Sequence, residues 1–103
     1  MEPQLDKEGF LTHLSQWNES VALNIANEEG IGLTPDHWEV LHLIRDFYKQ
    51  YDLSPTTRVL VKIVKNSLGE KKGNSIYLMG LFTGKPAKLA AKIAGLPKPA
   101  NCD

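Results

Sequence analysis

The sequence contains almost no cysteine: there is one in 103 residues, at position 102. A single cysteine excludes a disulfide within the chain and is typical of a reducing compartment, where a free thiol persists. No run of about 18 apolar residues is present, so no transmembrane helix is predicted. The first residues lack the basic and apolar stretches of a signal peptide, and we therefore expect a cytoplasmic protein.

The chain also has no net charge, because 12 basic residues balance 12 acidic ones. The two signs are unevenly distributed, since residues 1–55 contain ten acids and three bases while residues 56–103 contain nine bases and two acids. The C-terminal half therefore has an excess of seven positive charges. A basic half of this kind can bind an acidic partner protein or a nucleic acid, or it can be an ordinary solvated surface.

Length and hydrophobic periodicity indicate one compact, mostly helical domain. Five segments combine apolar residues at helical spacing with capping signals. The predicted helices, with their capping residues, are about 16–28 (Ser15 or Asn18), 35–51 (Thr34, then Pro35), 55–68 (Ser54, then Pro55), 75–82 (Ser75) and 86–94 (Pro86 at the start, Gly95 after the end). Residues 4–11, ahead of them, are predicted to form a loop or a remnant of a hairpin.

The single cysteine lies in a proline-containing tail after the last predicted helix. Pro97 and Pro99 cannot continue that helix and favour an extended path. A terminal segment is usually mobile unless it docks. We therefore divide the chain into a helical domain, residues 1–95, and a mobile C-terminal arm, residues 96–103, that presents Cys102 as a nucleophile. An exposed cysteine without a function, on a frayed tail, is the alternative.

Nothing near Cys102 in the sequence favours the thiolate that attacks sulfur, because Asp103 and the terminal carboxylate are negative. We expect a partner's pocket to activate the thiol, which favours a carrier over a free-standing enzyme. Basic side chains are predicted to dock on acidic partner surfaces, and the start of the arm to set its flexibility. The residues assigned to this docking are Lys85, Lys88, Lys92, Gly95, Leu96, Pro97, Lys98 and Pro99.

A series of short motifs, collinear from about residue 6 to residue 102, resembles the DsrC/TusE family. They are Asp6-x-x-Gly9-Phe10-Leu11, Trp17, Glu28-Glu29-Gly30-Ile31, Leu33-Thr34, His37-Trp38, Arg45-x-Phe47-Tyr48, Ser54-Pro55 with Arg58, Leu81-Phe82, Pro86-Ala87-Lys88, and residues 92–99 followed by Cys102. The resemblance implies an α+β fold: a compact array of about five helices with a small or reduced N-terminal β element and an extended C-terminal arm.

The resemblance also implies a function. DsrC-type members have a second cysteine eleven residues before the terminal one, where this chain has Ala91. TusE-type members keep only the terminal cysteine. They are implied to be sulfurtransferases that accept a persulfide from an upstream relay complex and pass the sulfur to the enzyme that forms 2-thiouridine in tRNA. On this basis we expect protein partners, only indirect contact with tRNA, and no cofactor, metal or membrane. Departures at Thr83-Gly84-Lys85, Leu89 and Asp103 make a specialised paralogue an open alternative.

Other features permit other functions. His13, His37 and His42 do not have the spacing of a metal site, and the preferred interpretation is that they are ordinary helix-surface or capping residues. Arg58, Lys62 and Lys65 would form one basic face of the third helix. That face predicts a regulatory or nucleic-acid-binding module with helix-turn-helix geometry, whose affinity would fall steeply with salt. An adaptor that docks through its tail without transferring sulfur is a third hypothesis.

Overall fold

Five α-helices make up most of the computed structural model, which describes residues 3–100 of the chain. After a short 3-10 turn at Leu14–Gln16, they are α1 (Glu19–Glu28), α2 (Pro35–Tyr51), α3 (Thr57–Leu68), α4 (Ser75–Phe82) and α5 (Pro86–Ile93). The prediction of a compact, mostly helical array of about five helices is confirmed. Within residues 3–100, no helix is long and apolar enough to cross a membrane.

The predicted N-terminal β element is not seen in the described part of the chain, where strand pairing is limited to one isolated antiparallel bridge between Leu5 and Leu11. The turn between them is tight, because the Asp6 side chain accepts hydrogen bonds from the backbone N–H groups of Glu8 and Phe10. A two-stranded pairing this short has no third strand or sheet face to stabilise it. The sequence does form a hairpin turn here, but not a sheet.

Helix α5 is the centre of the fold and packs against each of the other four helices. Its small side chains permit this close approach, since Ala87, Ala90 and Ala91 are all buried. The core contains fully buried large side chains, which belong to α2, α3, α4, the end of α5, the N-terminal turn and the start of the tail. They are Phe10, Val40, Leu41, Ile44, Leu60, Val64, Leu78, Phe82, Ile93 and Leu96.

Of the capping residues predicted at the N-termini of α1 to α4, those of α1 and α2 are confirmed and those of α3 and α4 are wrong. Asn18 caps α1, and Thr34 caps α2 with Pro35 in the first position. Helix α3, however, is capped by Thr56 rather than by Ser54, and α4 by Asn74 rather than by Ser75. The side chains of Thr56 and Asn74 accept hydrogen bonds three residues ahead, from Val59 and Tyr77, whereas the hydroxyl of Ser54 is used in a tertiary contact described below.

The imidazole of His37 is fully engaged in holding the start of α2 against the end of α4. Its Nδ1 accepts a hydrogen bond from the backbone N–H of Thr34 at 3.1 Å, which completes a capping box. Its Nε2 therefore has the proton and donates to the carbonyl of Leu81 at 2.8 Å. His37 is buried and lies edge-on to Phe82. This is the capping role expected of a histidine outside a metal site.

The two ends of α2 have different neighbours. The first turn contacts α4 through His37, and it also holds Lys72, which pairs with Asp36 and Glu39. The last turn leads into residues 52–56, which contact the C-terminal tail. The 17 residues of α2 separate these two ends by about 25 Å. The carboxyl end of α4 and the tail therefore contact opposite ends of α2.

Candidate functional site at the root of the C-terminal tail

Helix α5 ends in a Schellman motif, which sets the direction in which the tail leaves the domain. Gly95 has a left-handed backbone, with φ of 75°. Its N–H donates to the carbonyl of Lys92 at 3.2 Å, and the N–H of Leu96 donates to that of Ala91 at 2.9 Å. Leu96 is 1% exposed. Gly95 is thus the residue that allows the chain to turn back onto the core.

Two side chains satisfy the carbonyl groups that this motif leaves open. The indole N–H of Trp17 donates to the carbonyl of Ile93 at 2.9 Å, and the guanidinium of Arg45 donates to that of Ala94. The guanidinium carbon of Arg45 lies 3.9 Å from the centroid of the Trp17 ring. Burial lowers the pKa of Arg45, and the nearby Asp46 carboxylate opposes this effect. A cation at the negative end of α5 stabilises that end further.

The tail itself is held by a third side chain. The hydroxyl of Ser54 donates to the carbonyl of Pro97 at 2.6 Å. Pro97 is exposed, while Pro99 is buried. We name Trp17, Arg45 and Ser54 together the tail clamp, because they contact consecutive parts of residues 93–97. Cys102 lies outside the described residues, and the mobility predicted for residues 96–103 stays a prediction.

The structure separates the four lysines that were assigned to docking. Lys92 is 7% exposed, pairs with Glu29 at 3.1 Å and lies over the ring of Phe10. Lys88 and Lys98 meet at one carboxylate, that of Glu8, at 3.8 and 3.0 Å.

Lys85 lies elsewhere, as the exposed residue that precedes α5. The four therefore do not form one free basic stripe. Docking through them stays a prediction, and an acidic partner would have to compete with the carboxylates that three of them already contact.

The tail clamp was missed in the sequence. Ser54 was predicted to be a helix cap, and Trp17 and Arg45 had no predicted role beyond their places in the family motifs. Each is among the residues that resemble the family, which is the one signal that could have marked them. Their shared role involves partners 43 to 76 residues away along the chain.

The basic face predicted on α3 is exposed. It consists of Arg58, Lys62 and Lys65, and Lys65 is 3.9 Å from Glu70. A nucleic-acid interface on this face stays a prediction. Among residues 3–100 there is no group of three or more histidine, cysteine or acidic side chains that could hold a metal ion.

Replacing Trp17 by phenylalanine should lower the free energy of unfolding by about 1–3 kcal/mol. The ring would still support Arg45, but the carbonyl of Ile93 would lose its donor in a buried position. Trp38→Phe is a matched control, because no hydrogen bond of the Trp38 indole is seen among the described residues. Chemical denaturation of both variants checks this. Equal losses would show that the hydrogen bond to Ile93 contributes little.

The structure and the sequence together define a class of protein: a small helical domain that holds the root of a C-terminal tail, in which the sequence has a single cysteine. Comparison with known proteins identifies the family. The family described as DsrC like protein matches residues 1–102. The chain belongs to this family.

Individual relatives extend over almost the same length. The chain is 54% identical to Sulfurtransferase TusE of Escherichia coli K12 over 101 residues, which are 98% of this chain and 93% of that protein. It is also 54% identical to the Sulfurtransferase TusE homolog of Haemophilus influenzae over 102 residues, 99% and 94% of the two chains.

Solved structures have the same fold. The DsrC structure of Allochromatium vinosum matches with a TM-score of 0.89 and 42% identity, covering 98% of this chain and 90% of that one. The oxidized gamma-subunit of the dissimilatory sulfite reductase (DsrC) from Archaeoglobus fulgidus matches with a TM-score of 0.85 and 38% identity, covering 98% and 92%.

Proposed function

We propose that this protein is a sulfurtransferase of the TusE type that works as a persulfide carrier. Cys102 accepts a sulfane sulfur from an upstream relay complex and passes it to the enzyme that forms 2-thiouridine in tRNA. The protein acts in the cytoplasm and contacts tRNA only indirectly. The observation that supports this most directly is the single cysteine of the chain, which follows a clamped tail in a protein about 54% identical to sulfurtransferases.

The absence of a second thiol agrees with a carrier rather than with a two-cysteine cycle. Ala91 stands eleven residues before Cys102 and is fully buried in α5. One thiol is enough for one sulfur atom. The thiolate of Cys102 attacks the outer sulfur of the partner's persulfide, a new S–S bond forms on Cys102, and the partner's cysteine leaves as a thiolate. The step exchanges one S–S bond for another and needs no oxidant.

The test is intact-mass spectrometry after incubation with a cysteine desulfurase and an upstream sulfur-relay complex. We expect the protein to gain the mass of one sulfur atom, and to lose it when a reducing thiol is added. A known carrier protein treated in parallel shows that the relay is active. With that control positive, an unchanged mass would refute the persulfide-carrier function and favour an adaptor.

A further inference from the structure

We infer that the relay protein that donates the persulfide docks on one face of the domain. This face lies at the C-terminal end of α2, where the tail is held. We call this face the tail face and define it by the exposed residues Glu8, Leu53, Pro97 and Lys98. The inference rests on the proposed function and adds the surface that a thiol-bearing partner protein must contact.

The first argument is the length of chain beyond the last buried position. Pro99 is buried, and the residues before it are held by Ser54 and by the ion pair between Lys98 and Glu8. Cys102 is three positions after Pro99, so the two α-carbons cannot be more than about 11 Å apart. An arm free from Gly95 onward would span about 23 Å. The clamp therefore halves the distance that the cysteine can cover.

The second argument is the position of the most exposed large apolar side chain, which lies in α4. Helix α4 is apolar on nearly all sides, and its Ile76 is 80% exposed, which makes α4 the obvious competing interface. The carboxyl end of α4 contacts the first turn of α2, whereas the tail contacts the residues that follow its last turn. Attack by a thiolate requires the two sulfur atoms to come into contact. A partner bound at the root of the tail can meet that requirement directly, whereas a partner bound only at α4 would have to extend its persulfide around the domain towards the tail.

The tail face has the composition of a small docking surface. Leu53 is 54% exposed and directly precedes Ser54 of the clamp. Beside the tail lies a cavity of about 260 Å³ that includes apolar and charged side chains. Its lining residues are Leu14, Arg45, Tyr48, Lys49, Asp52 and Leu96. Burial raises the pKa of Tyr48, and the adjacent Asp52 adds to the effect, so the phenol stays neutral. An apolar centre with charges of both signs around it is typical of a protein interface.

The decisive experiment compares two exposed apolar residues: Leu53, which follows the end of α2, and Ile76, which lies in α4. We expect Leu53→Ser to lower the rate of sulfur transfer from a persulfidated relay protein about tenfold at sub-saturating partner, as for the loss of one interface anchor. Ile76→Ser, at a more exposed position, should transfer sulfur at the wild-type rate. Both variants should react normally with a small alkylating reagent, which needs no docking.

A second comparison tests whether the clamp positions the cysteine. Ser54→Ala should lower the transfer rate at saturating partner several-fold, because the tail then samples a larger volume, while alkylation of Cys102 stays unchanged. Ser54→Thr, which keeps the hydroxyl, should restore much of the rate. Ser67→Ala is the matched control, since Ser67 is exposed in the last turn of α3, whereas Ser54 precedes the first turn. Thermal denaturation shows that each variant is folded.

The outcomes separate this inference from the proposed function. If the wild-type protein accepts no sulfur, the proposed function fails and this inference fails with it. If the wild type accepts sulfur and Leu53→Ser behaves like it, or if Ile76→Ser is the slow variant, only the tail face is refuted. A slow Leu53→Ser with a normal Ile76→Ser supports it.

Discussion

Replacing Cys102 by serine should abolish sulfur acceptance completely. A serine hydroxyl does not ionise near neutral pH and is a poor nucleophile towards sulfur, and no other cysteine is present to replace the thiol. Intact-mass spectrometry after incubation with the relay proteins should show no added sulfur on the variant. The fold should be unaffected, because the described core is formed by residues 10–96.

A matched variant distinguishes the position of the thiol from its mere presence. Cys102→Ser combined with Ala91→Cys keeps one cysteine per chain but places it in α5, at a position that is fully buried. We expect this variant to remain unmodified by both the relay proteins and an alkylating reagent. Sulfur acceptance by the double variant would show that any thiol suffices, and would remove the argument for a tail-borne carrier.

Gly95→Ala should lower the free energy of unfolding by about 3 kcal/mol, as the sum of a backbone cost and a steric one. Two costs add. A left-handed backbone costs a residue with a Cβ roughly 1–2 kcal/mol, and the new methyl would overlap the indole ring of Trp17. Displacing that ring would also disturb its hydrogen bond to Ile93 and its contact with Arg45.

The same motif at the end of α1 provides the control. Gly30 has φ of 73°, and the N–H groups of Gly30 and Ile31 bond to Asn27 and Ala26 as in the motif that ends α5. No atom lies within 4 Å of the Cβ that Gly30→Ala would add. This variant should therefore lose only about 1 kcal/mol, the backbone cost alone. Urea unfolding of both variants measures the difference in the free energy of unfolding. Equal losses would show that the contact with Trp17 adds no cost at Gly95.

Local chemistry explains why the helices were predictable. Thr34 before Pro35 defines the start of α2, and a Schellman glycine defines the end of α5, because each acts on groups within a few residues. The cap of α3 was mispredicted although Ser54 is a good capping residue. Thr56 was equally suitable and closer to the helix, and the Ser54 hydroxyl had a tertiary acceptor in Pro97.

The five helices, the single thiol and its place in the C-terminal tail can be predicted from the sequence, since they follow from residue types and short-range spacing. The clamped tail, and the carboxylate partners of three of the four lysines assigned to docking, depend instead on the tertiary structure. Trp17, Arg45 and Ser54 lie far apart in the chain, and no local pattern indicates that all three donate to residues 93–97. They meet because α5 packs at the centre of the fold, which brings its C-terminal carbonyls beside side chains from three other segments.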